Sequence, residues 1–215
     1  MIKNIFFDFD GVLAESVNIK TAAFKQMYQP YGEEIADRVV AHHLANGGVS
    51  RFEKFALYHG EWLGLPVNND IITELAKRFS GLVIKNVINS PSVIGADHFL
   101  AENRDKYDYW IITGTPTEEM DFILKSRSMD TYFKGIYGSP TQKSDWTEFI
   151  LDKWKLEREE TVFIGDAEED MKAANHSSLI FILRETDENR KIFSDYKGPK
   201  LADLTFLNAL LENIR

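Results

Sequence analysis

The chain has 215 residues, 44% of them hydrophobic, and a formal net charge of −9, which suits one domain or a core carrying a smaller insertion. It has no cysteine, so a disulfide scaffold, a thiol nucleophile and a cysteine-ligated zinc site are ruled out. The negative charge disfavours grip on nucleic acid or anionic lipid, both of which need clustered Lys and Arg. No apolar run approaches the roughly 20 residues of a membrane span, and the apolar start Ile2 to Leu13 is broken by Asp8 and Asp10, unlike a signal peptide. The expectation is a soluble cytoplasmic protein with neither a nucleic-acid nor a membrane partner; oligomeric state is left open.

Short apolar runs read as buried parallel strands at Asn4 to Phe9, Tyr109 to Thr113, Thr161 to Ile164 and Leu179 to Leu183. Helical spacing lies between the later ones, at about Thr117 to Ser128, Lys143 to Trp154 and Glu168 to Asn175. That alternation predicts an α/β class, a doubly wound, Rossmann-like and mostly parallel sheet. From Glu15 to Asn86 the pattern is helical without a strand, which predicts an inserted α-helical domain over 15–86, with the core formed by 1–14 and 87–215. The clearest helix of this insertion opens on the capping box Ser50-Arg51-Phe52-Glu53. A polar stretch, Glu185 to Lys200, reads as a loop before a last amphipathic helix, Leu201 to Ile214.

Ligands of open α/β sheets sit at the carboxyl ends of the strands. Those ends carry Phe7-Asp8-Phe9-Asp10-Gly11, Thr113-Gly114 and Gly165-Asp166, with Asp170 four residues on. Several converging carboxylates are costly without a cation. Oxygen-only ligation without Cys or spaced His favours Mg²⁺, with Ca²⁺ the weaker alternative because no EF-hand loop is present. Taken singly, each Asp could be an ordinary solvated loop residue; together they form a candidate site. Thr115-Pro116-Thr117-Glu118 reads as a capping box with Pro at the first helical position, which would aim a helix N-terminus, an anion site, at Thr113. Lys143, taken alone, could be a solvated charge.

In order, Asp8-Phe9-Asp10-Gly11-Val12-Leu13, Thr113, Lys143 and Gly165-Asp166-Ala167-Glu168-Glu169-Asp170 resemble the four motifs of the haloacid dehalogenase superfamily of phosphatases. The likeness covers about two thirds of the chain. It implies that Asp8 attacks phosphorus and Asp10 moves the proton. It further implies that Asp8, Asp10 (through its backbone carbonyl), Asp166 and Asp170 hold the metal, and that Gly11, Thr113, Gly114 and Lys143 hold the phosphoryl group. Asp10 argues against carbon–halogen cleavage, which needs no proton for its leaving group.

The stretch 15–86 resembles the helical cap that the family places between its first two motifs, of the phosphoglycolate phosphatase and β-phosphoglucomutase-like kind. Arg51 sits in a first helical turn, where a cation is disfavoured, so it is expected to meet a second polar or anionic group of the substrate. A phosphonatase would need a desolvated cap lysine; Lys20, Lys25 and Lys54 are available, and the sequence marks none of them as desolvated. His42 and His43, being adjacent, read as structural or solvated. The expected function is Mg²⁺-dependent hydrolysis of a small phosphomonoester, a sugar phosphate or phosphoglycolate-like acid, through a phospho-aspartate. The alternatives are a sugar-phosphate mutase or a silent binding module.

Overall fold

The structure, a computed structural model, describes residues 1–214. Six parallel strands form one sheet in the order β3-β2-β1-β4-β5-β6: β1 Asn4–Phe7, β2 Asp108–Pro116, β3 Phe133–Ser139, β4 Thr161–Gly165, β5 Ile180–Arg184 and β6 Lys200–Leu201. The order reverses at β1, which lies between β2 and β4, and this places a crevice at the carboxyl end of β1.

Side chains alternate across the sheet with period two. Ile5, Phe7, Ile111, Val162 and Ile164 enter one buried cluster, and Phe6, Trp110, Ile112 and Phe163 enter the other. Helices cover both faces. On the first lie α5 (Ala96–Glu102), α6 (Thr117–Ser126) and α9 (Leu207–Asn213); on the second lie α7 (Lys143–Trp154) and α8 (Glu168–His176). Strands buried on both sides require such continuous apolar runs, which is why they were readable in the sequence.

Between β1 and β2 the chain inserts α1 (Val17–Tyr28), α2 (Glu33–Ala45), α3 (Arg51–Phe55), which continues as π-helical turns to Trp62, and α4 (Asn69–Ile88). An aromatic knot closes this insertion: the Phe24 ring lies 4.4 Å from Phe79 and 5.6 Å from Phe55, both fully buried. Burying each such ring contributes roughly 1.5–3 kcal/mol.

Four expectations change. The helix α4 runs to Ile88, so a boundary after residue 86 cuts its last turn. A strand that the sequence reading does not include, β3, forms the sheet edge beside β2. The stretch expected to open the last helix instead contributes the edge strand β6, and α9 begins only at Leu207. Finally, Pro116 occupies the N-cap of α6 without a side-chain cap, because β2 extends through Thr115 and the Thr115 hydroxyl bonds to Asp10.

Candidate active site

The strand β1 ends at Phe7, and Asp8 emerges at the centre of the sheet with only 3% of its surface exposed. Its N–H donates to Ile164 O at 3.0 Å, which fixes the turn against β4. The chain then reverses through Gly11, which has φ +79°, a left-handed conformation suited to glycine. A Cβ there would sit 2.1 Å from Asp166 Oδ2. The Gly11 N–H is spent on Ala14 O at 2.8 Å. Gly11 therefore serves close packing of the two acidic loops rather than donating to a phosphoryl group, as had been expected of it.

Lys143, 6% exposed at the start of α7, donates to Asp170 Oδ1 at 2.6 Å and lies 3.0 Å from Asp8 Oδ1. Burial opposes its charge, but Asp170 and Asp8 outweigh it and hold the ammonium on. The other oxygen of Asp170 accepts the N–H groups of Asp166 (3.2 Å) and Ala167 (3.1 Å), so Asp170, in the first turn of α8, is tied back to the residues just before that helix. Burial pushes the Asp8 carboxyl up to about 7 against the pull of Lys143, with Asp170 and Asp10 adding repulsion. Burial, then Asp8 and Asp170, raise the Asp166 carboxyl well above its usual range.

Carboxylate oxygens of Asp8, Asp166 and Asp170 lie within 4.8 Å of one another. A tight, oxygen-only cluster whose members repel one another fits a hard divalent cation. Asp10 is turned elsewhere. Its carboxylate pairs with Lys20 and accepts the Ser16 hydroxyl at 2.6 Å and the Thr115 hydroxyl at 3.1 Å. Burial would raise its pKa, but Lys20 and these hydrogen bonds outweigh burial and hold it below the usual value.

Thr113 is 1% exposed, and its Oγ1 accepts the Thr115 N–H at 3.1 Å, which leaves its hydroxyl hydrogen free to donate. Gly114 lies against the loop before α3: a Cβ on it would meet Gly48 O at 2.7 Å. The same loop crosses the acidic side, where a Cβ on Gly48 would lie 3.1 Å from Glu169 Cβ and 3.5 Å from Lys143 Nζ. The insertion is thus closed over the strand ends and encloses a cavity of about 150 Å³ lined by Asp8, Asp10 and Asp166 below and by Lys20, His43 and Lys54 above. Thr113 and Lys143 line a smaller cavity beside it.

Two residues and one loop depart from their sequence readings. Arg51 is 4% exposed and already has its counter-charge: Nη1 and Nη2 meet Glu119 Oε2 and Oε1 at 2.8 and 2.7 Å, and Ser80 at 2.9 Å shares the site. The oddity of a cation in the first turn of α3 is resolved by Glu119 of α6. Lys54 is 2% exposed and hence desolvated, which no local feature of the sequence had marked. The loop Glu185 to Lys200, which had no assigned role, forms a wall of the cavity through Thr186, Glu188, Asn189 and Ile192. Its Asn189 ties it to Asp166 O at 2.8 Å. None of the described helices is long and apolar enough to cross a membrane.

The fold is shared with many solved structures. CbbY from Rhodobacter sphaeroides in complex with phosphate is 19% identical and matches with a TM-score of 0.75 over 99% of this chain and 100% of that one. A hydrolase from Pseudomonas syringae gives the same identity, score and coverage. A haloacid dehalogenase-like family hydrolase from Streptococcus pneumoniae is 22% identical, with a TM-score of 0.62 over 85% of this chain and 84% of that one. No curated protein sequence matches the chain. The sequence does match, over residues 5–183, the family described as haloacid dehalogenase-like hydrolase. With that match spanning most of its length and the acidic crevice at the end of β1, the chain belongs to the haloacid dehalogenase-like hydrolase family.

Proposed function

We propose that this hydrolase is a Mg²⁺-dependent, cytoplasmic phosphatase of small phosphomonoesters that works through a phospho-aspartate on Asp8. The observation that carries the reading is the placement of Asp8: buried at the centre of the sheet, against Lys143 and beside Asp166 and Asp170. The phosphate held by CbbY and the xylulose-(1,5)bisphosphate held by an Asp→Asn variant of CbbY, 17% identical to this chain, agree with a phosphate-ester ligand.

An Asp8 oxygen attacks phosphorus as the ester P–O bond breaks, and the leaving alkoxide takes a proton from Asp10. Asp10, once ionised, takes the proton of the water that cleaves the acyl phosphate. Lys20 favours that ionised form, so the first half of the cycle requires Asp10 to leave Lys20 with a proton. Lys143, the Thr113 hydroxyl and the Gly114 N–H oppose the charge that spreads over the phosphoryl oxygens. Asp8, Asp166, Asp170 and the Asp10 carbonyl would hold Mg²⁺, which supplies neutralisation of two approaching anions. The cap, residues 15–86, would exclude water from the crevice where Gly48 meets Gly114.

The test is phosphate release across a broad panel of esters, with and without Mg²⁺, by the unsubstituted chain and by Asp8→Asn. Release that depends on Mg²⁺ and disappears in Asp8→Asn is expected. Isomerisation of a hexose phosphate with almost no release would replace this reading by a mutase.

A further inference from the structure

Among the described residues, four Lys and Arg side chains line the cavity over Asp8, and three of them are matched by a carboxylate. Lys20 pairs with Asp10, Arg51 with Glu119, and Arg184 with Glu15 at 2.6 Å. Lys54, on α3 one turn after Arg51, has no carboxylate at ion-pair distance among the described residues. Among the described residues its one hydrogen-bond partner is His43 Nδ1 at 2.9 Å. His43 is itself only 8% exposed, and its Nε2 has no hydrogen-bond partner among the described residues.

The two gaps share one explanation. When Lys54 donates to His43 Nδ1, the imidazole proton must sit on Nε2, where it faces no acceptor. The ammonium retains two further N–H groups. The pair therefore offers several buried donors and one positive charge with nothing to receive them, at the roof of a cavity whose floor is Asp8 and Asp166. Unmatched buried donors are costly, and the ligand that matches them is an anionic group with several acceptor oxygens.

We propose that Lys54 and His43 form a second anion subsite, so that the preferred ester carries a carboxylate or a second phosphate in addition to the phosphoryl group placed over Asp8. This rests on the phosphatase reading, and it moves the role expected of Arg51 to Lys54. Burial, and then the neighbouring Lys20, lower the Lys54 pKa to about 7, so an arriving anion also favours protonation of the amine.

Binding separates this inference from turnover. In an Asp8→Asn background, calorimetry would compare 3-phosphoglycerate with glycerol 3-phosphate, and fructose 1,6-bisphosphate with fructose 6-phosphate; the first pair reads a carboxylate, the second a phosphate. In at least one pair the ester with the extra anion is expected to bind ten-fold or more tightly, and Lys54→Met and Lys54→Gln should each reduce that advantage to below about three-fold. Equal binding within both pairs, or an advantage that survives both Lys54 variants, overturns the subsite. If the advantage depends on Lys54 while the unsubstituted chain releases no phosphate from any ester, the subsite stands and the phosphatase reading fails.

Discussion

Arg51 of α3 and Glu119 of α6 meet through two parallel hydrogen bonds of 2.8 and 2.7 Å, with both side chains almost fully buried. One comes from the insertion and the other from the sheet's own helices, so the pair bridges the closed crevice. Breaking a buried pair leaves an uncompensated charge, whereas replacing both partners removes the charge problem. Arg51→Met alone should therefore destabilise by about 3–5 kcal/mol, and Arg51→Met combined with Glu119→Met should recover most of that loss. Urea denaturation of the three proteins checks both statements; additive losses would show that the two residues are not coupled.

What the sequence could and could not disclose follows the range of the interactions. Asp8, Thr113, Lys143 and Asp166 were legible because each sits where an apolar strand run ends or the next helix begins, a signal local in sequence. Partnerships such as Arg51 with Glu119, Lys20 with Asp10 and Thr115, or Lys54 with His43 depend on how the inserted helices pack on the sheet. No periodicity encodes them. The same limit explains Thr115-Pro116-Thr117-Glu118: the local pattern of a capping box was outcompeted by the extension of β2 and by Asp10 as hydrogen-bond acceptor.

Lys20 sets the titration of Asp10. Burial alone would raise that carboxyl, and Lys20 with the Ser16 and Thr115 hydroxyls reverses the shift. In Lys20→Met the Asp10 pKa should rise, so the step that needs ionised Asp10 requires a higher pH. The acid limb of the kcat profile is expected to move upward. A profile that falls uniformly, without displacement of its acid limb, would mean that Lys20 acts by another route.

Gly48 limits how closely the insertion can seat. It has φ +78°, and its Cβ position already lies 3.1 Å from Glu169 Cβ. Gly48→Ala combines a left-handed backbone with a crowded contact and should cost on the order of 1 kcal/mol of stability. The larger effect should be on catalysis, with kcat/KM falling about ten-fold or more because Gly48 can no longer reach Gly114. Steady-state kinetics beside a thermal melt separates the two, and a loss confined to stability would argue against a role in closure.

Asp8 links the site to stability. Its folded pKa of about 7 lies above the ordinary carboxylate value, so its favourable contribution is complete below about pH 4 and is lost as pH rises through 7. At pH 8 without divalent cations, Asp8→Asn should be more stable than the parent by on the order of 1–3 kcal/mol. Mg²⁺ should raise the melting temperature of the parent and much less that of Asp8→Asn. Equal Mg²⁺ stabilisation of both would remove Asp8 from the ligand set.

Lys54 gives the opposite sign of pH dependence. Its amine is lowered to about 7 in the folded chain, burial first and Lys20 second, with Lys143 also opposing its charge and Glu53 and Glu169 favouring it. Between about pH 7 and the ordinary lysine value near 10.5 the unfolded chain binds the extra proton, so Lys54 makes stability rise with pH across that window. Below pH 7 both states are protonated and the folded state carries the full cost of a buried charge. Lys54→Met should therefore stabilise the protein at pH 6 by on the order of 1–3 kcal/mol and flatten its stability profile between pH 7 and 10. A residue that lowers stability while lining the cavity is more readily understood as serving a ligand than as serving the fold. Denaturant titrations of both proteins across that pH range decide it, since a parallel offset of the two curves, with no change of slope, would mean that the Lys54 amine does not titrate in this window.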